Sequence, residues 1–293
     1  MAQIYTVRQS SELMTFLMEN VPGMNRTKAK QLLSKQMVSV DKVINTKFNA
    51  PLREGQRVEI ARRGNEHSLR NPFVRIVYED PHLVVVDKAE GILTNAPLDG
   101  RENSVKRILD QYFQRESRRL SAHTVHRLDR YTSGLMIFAK RRDVQQIFID
   151  RWQELIADRR YVALVEGVME KKQGTVASWL KDNKVFMTYS SPYDNGGKYA
   201  VTHYRTLETA PHCTLVECKL ETGRKNQIRV HMQQLQHSVV GDLKYGATTD
   251  PIGRVCLHAY KLQFWHPVTH ELLNFETPVP QKFLDVLSGR TNL

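Results

Sequence analysis

Two short segments of this chain hold most of its reactive side chains. Residues 126–134 read HRLDRYTSG and run directly into the apolar stretch LMIFAK. A Thr-Ser-Gly turn that leads into a buried strand fixes the preceding loop against a sheet. Arg127 and Asp129 are therefore expected at a sheet edge rather than on a mobile tip. A carboxylate held there can serve as a nucleophile or a base. The plainer alternative is a surface pair, with Asp129 capping a turn and Arg127 bound to it. The second segment, residues 222–231, reads TGRKNQIRVH. Its cations and amides stand at the start of an expected helix and suit a phosphate or a carboxylate, with Arg224 and Gln227 as contacts to a substrate. A solvated charged face is the competing reading. Arg229 weighs against it, because it lies between Ile228 and Val230 in a stretch that also holds Met232 and Leu235. A guanidinium so placed is partly buried and wants an acid partner, for which Asp129 is the candidate. A third element is RRYVALV, 159–165, where Tyr161 opens an apolar strand. Its ring either packs in the core or stacks on an extruded base.

The elements that must position these residues can be read from periodicity. Ser11 is expected to cap a short helix with Leu13, Phe16 and Leu17 on one face. Asn25 caps a second, with Ala29, Leu32 and Leu33 inward and Arg26, Lys28, Lys30 and Lys35 outward. Two short strands follow, Val38–Val40 and Arg57–Ile60. Two helices and a hairpin, basic on one side, make a small unit over 1–62 that suits RNA phosphates. Residues 63–71 are polar and aperiodic and read as a linker. From 72 to 293 the pattern changes to longer strands. They are Val74–Tyr78, Leu83–Asp87, Leu135–Ala139, Tyr161–Val165, Val176–Leu180, Val201–Leu207, Cys213–Leu220, Leu257–Phe264 and Leu272–Phe275. One helix starts near Val105, and another is marked by Val144, Ile147, Phe148, Leu155 and Ile156. The sum is an α+β domain on a mixed, mostly antiparallel sheet.

Composition narrows the partners. The 293 residues carry 43 Lys and Arg against 31 Asp and Glu, a net charge of +12. Residues 1–70 hold half of that surplus, with 12 cations against 6 acids. A cationic face attracts polyanions through released counterions, so nucleic acid is the leading partner. No apolar stretch is long enough to span a bilayer, so no membrane partner is expected. Residues 1–9 lack the pattern of a secretion signal, and Cys213, Cys218 and Cys256 form no C-x-x-C; a cytoplasmic setting with free thiols is expected. There is no G-x-G-x-x-G and no P-loop.

Taken in order, HRLDRYTSG, RRYVALV, TGRKNQIRVH, GDLKYG (241–246) and LHAYKLQFWHP (257–267) resemble the RluA family of pseudouridine synthases. VVVDKAEGI (84–92) looks like that family's first motif. Residues 1–60 resemble the RNA-binding module first seen in ribosomal small-subunit protein four, here the S-four module. The resemblance implies the pseudouridine synthase fold and an isomerase that converts uridine to pseudouridine in structured RNA. Ribosomal RNA is the expected substrate and transfer RNA the alternative. It implies a monomer and no cofactor or metal. It makes Asp129 the catalytic aspartate, acting by attack on C1′, addition to the ring, or removal of the C2′ proton. By the same resemblance Arg127 enters the RNA stack as the target leaves, Tyr161 packs over the uracil, and Arg229 pairs with the aspartate.

Departures from the family pattern are Asn226 for His, Ala89 for Pro, and Gln36 and Lys42 for two glycines. Gln36 at a helix end costs about 1 kcal/mol if its backbone must be left-handed. Three other functions compete. A catalytically silent RNA-binding protein of the same fold is disfavoured by intact Asp129, Tyr161 and Arg229. A nucleoside hydrolase would want a second carboxylate. A metal enzyme would have to use His266 with His270, or Cys256 with His258.

Overall fold

The computed structural model describes residues 3–34, 36–61, 69–97, 102–115, 117–118 and 120–291. The first part of the chain forms β1 (Gln3–Thr6), β2 (Ser11–Glu12), α1 (Leu13–Asn20), α2 (Arg26–Ser34), β3 (Val38–Val40), β4 (Val43–Ile44), β5 (Pro51–Leu52) and β6 (Arg57–Ile60). Phe16, Leu17, Ala29 and Leu33 of the helices bury against Val38, Val58 and Ile60. Asn25 caps α2, its Oδ1 accepting from the Lys28 N–H at 2.9 Å. Ser11 is not a cap: it pairs with Leu52 as a strand, and α1 starts after Glu12 without a side-chain cap. The expected hairpin is larger than two strands, a sheet in the order β1-β6-β3-β4. Gln36 and Lys42 both have left-handed backbones, with φ of 57° and 69°. The glycine-like conformation survives there at a cost of about 1 kcal/mol each. Arg26, Lys28 and Lys30 are exposed, whereas Lys35 lies outside the described residues.

This unit rests on the rest of the chain. Val43 packs against the second hydrophobic cluster of the larger part, and Lys42 forms an ion pair with Glu271. Of the segment read as a linker, 63–71, residues 63–68 lie outside the described residues.

The larger part contains β7 (Val74–Glu79), β8 (Leu83–Lys88), α3 (Val105–Gln114), β9 (His123–Thr124), β10 (Ser133–Ala139), α4 (Arg142–Asp150), α5 (Trp152–Leu155), β11 (Ile156–Glu166), β12 (Gln173–Asp182) and β13 (Thr188–Ser191). It continues with β14 (Lys198–Thr209), β15 (Cys213–Leu220), α6 (Gln227–Gln234), a 3-10 turn (Leu243–Tyr245), β16 (Leu257–Trp265), β17 (Leu272–Glu276) and α7 (Gln281–Leu287). The main path of the sheet runs β13-β12-β14-β15-β11-β16-β10-β8-β7, with β17 on β16 and β9 on β10. Its pairs are antiparallel except β10 with β16. The single helix expected over 144–156 is broken at Arg151, whose φ of −121° and ψ of 28° end α4, and Ile156 already belongs to β11.

β10 shows why a continuous apolar run was needed. Its alternate side chains enter two clusters: Met136 and Phe138 one, Leu135, Ile137 and Ala139 the other. A strand covered on both faces cannot carry the usual polar alternation. Gly134 lets this strand meet β16. Its φ is +118°, and a Cβ there would lie 2.2 Å from the Ala259 carbonyl oxygen. Gly134→Ala should therefore separate the parallel pair and destabilise the protein by about 3 kcal/mol, combining overpacking and backbone strain. A urea midpoint equal to that of the parent protein would refute this reading.

Candidate active site

Asp129 sits in the loop that enters β10, and that loop is pinned from below. Lys88 is fully buried, and its Nζ donates to the carbonyl oxygens of Ala89, Arg130 and Thr132 at 2.9, 3.1 and 2.7 Å. Burial, followed by the charge of Arg254, pushes Lys88 down to about 7. Thr94 Oγ1 donates to the Leu128 carbonyl at 2.8 Å and accepts from the Leu128 N–H at 3.1 Å. Past the loop, Arg254 Nη2 donates to Ser133 Oγ at 2.9 Å, and Ser133 Oγ lies 2.8 Å from His258 Nδ1. A loop whose carbonyls are so fully engaged holds its side chains in one arrangement.

Asp129, Arg127, Tyr161, Arg224, Gln227 and Arg229 all line one open cavity of about 400 Å³. Arg26, Lys28 and Lys30 do not. The Asp129 side chain is one-quarter exposed, and its Oδ2 lies 3.7 Å from Arg229 Nη1. Arg127 is exposed and, among the described residues, makes no ion pair, so the surface pair with Asp129 does not form. Tyr161 is 5% exposed and packs in the main core. Burial raises its phenol pKa, which keeps the hydroxyl protonated.

The expected ion pair of Arg229 with Asp129 forms but is not its closest, and the role expected of Gln227 needs correction. Arg229 has a closer acid than Asp129: its Nε and Nη2 donate to the two carboxylate oxygens of Asp242, both at 2.6 Å. Its Nη1 donates to Asn226 Oδ1 at 2.8 Å, and the guanidinium lies 4.7 Å from the centre of the Tyr245 ring. Burial works against the charge, but the hydrogen bonds and charge of Asp242, with that of Asp129, outweigh it and raise the Arg229 pKa. Arg229 thus faces Asp129 from a socket built by Asp242, Asn226 and Tyr245. Gln227 is not free for a substrate either. Its Oε1 accepts from Thr222 Oγ1 and the Arg224 N–H, and its Nε2 donates to the Val201 carbonyl and Thr202 Oγ1, at 2.8–2.9 Å. With its amide fully engaged, Gln227 shapes the TGRKN loop. Arg224 remains at the rim, held by one bond from Nε to the Tyr199 carbonyl at 3.0 Å.

Asp242, Tyr245 and Lys88 were missed as parts of this site. GDLKYG and VVVDK carried them only as unexplained pieces of a resemblance, and nothing in their spacing points at residues 129 or 229. The residues offered to a metal have other work. His266 Nε2 bonds Asp80 Oδ2 at 2.9 Å while its Nδ1 accepts from the Val268 and Thr269 N–H groups. His258 Nε2 bonds Thr277 Oγ1 at 2.9 Å. Cys256 is buried, which pushes its thiol up to about 12.

Comparison with known proteins places the chain among proteins of one kind. Residues 82–234 match the family model described as RNA pseudouridylate synthase. The uncharacterized RNA pseudouridine synthase YhcT of Bacillus subtilis (strain 168) is 34% identical over 257 residues, covering 85% of this chain and 83% of that protein. Ribosomal large subunit pseudouridine synthase D of Nitrosomonas europaea is 32% identical over 289 residues, covering 94% and 83%. Among solved structures, human RNA pseudouridylate synthase domain containing 1 aligns with a TM-score of 0.61 at 25% identity, covering 77% of this chain and 89% of that one.

Proposed function

The chain belongs to the RNA pseudouridylate synthase family, and from that premise we propose that Asp129 is the carboxylate that acts on a target uridine in large-subunit ribosomal RNA. The enzyme isomerises uridine to pseudouridine in RNA. The bond from ribose C1′ to uracil N1 breaks, the base turns, and C1′ joins C5, which loses its hydrogen as a proton while N1 gains one. No electrons are exchanged and no group leaves the nucleoside. What the reaction asks of the protein is a carboxylate near the sugar, a pocket for an extruded base, and a replacement for that base in the RNA stack.

The observation that carries the assignment is the meeting in one cavity of Asp129, the Arg229 guanidinium 3.7 Å away, and the wall formed by Tyr161. Extruding a base costs a few kcal/mol. Stacking against Tyr161 and insertion of Arg127 offset that cost. Arg224 at the rim binds backbone phosphate. The ribosomal target rests on relatives named for the large subunit. The test is incubation of the purified enzyme with protein-free large-subunit RNA and, separately, transfer RNA, both from a strain lacking the gene. Pseudouridine is then mapped by carbodiimide primer extension. A new stop in the large-subunit RNA is expected. A new stop in transfer RNA alone would overturn the ribosomal target and keep the isomerase.

Residues 1–62 act as an S-four-type RNA-binding domain ahead of a catalytic domain at 72–293. The support is the exposed row Arg26, Lys28 and Lys30 on α2, on a unit with its own core. Changing all three to alanine should weaken RNA binding without unfolding the protein. The slope of log K against log salt should become shallower by about 0.7–0.9 for each phosphate the altered row no longer neutralises. Filter binding across a salt series measures this, and an unchanged slope means that the row does not touch RNA.

A further inference from the structure

Two consecutive arginines precede Tyr161 within β11, and they are treated very differently. Along β11 the side chains alternate between faces. Arg160 and Asp158 share the face away from the cavity, where Arg160 Nε donates to Asp158 Oδ2 at 2.8 Å and Nη1 to Glu217 Oε1 at 3.0 Å. Arg159 shares the other face with Tyr161 and lines the cavity of Asp129. It is only 8% exposed, yet it makes no ion pair among the described residues. Its one hydrogen bond there runs from Nη2 to the Thr222 carbonyl at 3.2 Å, and its Nε is buried without a partner.

A guanidinium so deeply buried without a counter-anion is costly, since burial of an unpaired charge is among the largest penalties in a fold. Neighbouring groups nevertheless hold it in place. The guanidinium lies 5.4 Å from the centre of the Trp152 ring, and Gly223 leaves the space it occupies: a Cβ there would come within 3.2 Å of Nη2. A second donor in the same cavity is also without a partner. His126 Nε2 accepts from the Ile137 N–H at 3.0 Å, so the ring proton belongs on Nδ1, which is buried and unbonded. The His126 ring packs against Trp152 as well, at 5.5 Å.

We propose that Arg159 is a phosphate-binding residue, whose missing counter-anion is a phosphodiester flanking the target uridine. The inference rests on the reading of the chain as an enzyme acting on RNA, because a nucleotide that enters this cavity brings its phosphates with it. Arg159 thereby sets the depth to which the ribose approaches Asp129, and the His126 Nδ1–H serves as an auxiliary donor to the same backbone. Arg224, by contrast, is exposed and meets the RNA at the rim of the cavity.

The test is a double-perturbation cycle on a short RNA stem-loop carrying the target uridine. One methylphosphonate, which removes a single charge, replaces the linkage on the 5′ or the 3′ side of that uridine. The adjoining sugar carries 2′-fluoro in both the neutral and the reference RNA. Wild type, Arg159→Gln and Arg159→Lys are each assayed for RNA affinity and single-turnover rate. The expected result is a loss of about 10- to 100-fold for wild type at one of the two linkages, of the size of a charge-assisted hydrogen bond. Arg159→Gln should show a similar loss on the charged RNA and no further loss at that linkage, with Arg159→Lys in between. Equal losses for wild type and Arg159→Gln at both linkages overturn the proposal. So does a wild type indifferent to both neutral linkages, which decides the matter even if the glutamine variant fails to fold. The affinity cycle needs no turnover. If wild type binds the RNA but forms no pseudouridine in it, the assigned substrate fails while the cycle still decides the role of Arg159.

Discussion

Asp129→Asn is expected to remove turnover while leaving the folded protein and its RNA affinity nearly intact. Loss of an essential nucleophile or base costs several orders of magnitude in rate, so residual activity should fall below about 0.1% of wild type. Stability should change little for a structural reason. The carboxylate is one-quarter exposed, and its nearest cation, Arg229, stays paired with Asp242 when Asp129 becomes neutral. The loop itself is held by Lys88 and Thr94, which bond to its backbone and not to the Asp129 side chain. Tritium release from RNA labelled at uridine C5 gives the rate, filter binding gives the affinity, and a urea melt gives the stability. Residual activity above about 1% would sink the assignment of Asp129. A variant that melts early would instead make the carboxylate part of the scaffold.

Asp242→Ala should fail in the opposite way, losing both stability and activity. Asp242 is 1% exposed and accepts both of its bonds from Arg229. Removing one partner of a buried ion pair leaves an uncompensated charge and costs about 3–5 kcal/mol. The nearest acid then left to Arg229 is Asp129, 3.7 Å away. The guanidinium should swing onto that carboxylate and engage it, so single-turnover activity should collapse along with the urea midpoint. The double variant Arg229→Met with Asp242→Leu separates the two effects. An apolar pair of similar volume can replace a buried ion pair with little loss of stability. It supplies no cation next to Asp129, so stability should recover and activity should not. Full activity in the double variant would show that Arg229 serves only the fold.

Much of this site was legible in the residues themselves. The apolar run at 135–139 implied a buried strand, and the turn before it implied a loop fixed at the strand's entrance. Both hold because side-chain alternation and turn chemistry are local properties. The position of Arg229 among Ile228, Val230 and Met232 likewise implied a buried cation in need of an acid.

Which acid it takes was a matter of tertiary structure. Asp242 is distant from Asp129 in sequence and equal to it in chemistry. The choice follows from the 3-10 turn at 243–245, which lays the Tyr245 ring under the guanidinium and turns both Asp242 oxygens toward it. The same holds for Gln227, whose amide looks available in a charged loop until the strand β14 supplies partners for its Nε2. Arg159 and Arg160 make the point most simply. As sequence they are interchangeable neighbours, and strand alternation alone sends them to opposite faces. Alternation within β11 already sets Asp158 beside Arg160, but only the assembled sheet brought Glu217 within its reach and left Arg159 facing the cavity with no acid partner among the described residues. Local periodicity determines which face a side chain takes; the partners on that face come from strands far along the chain, through pairings that no local pattern encodes.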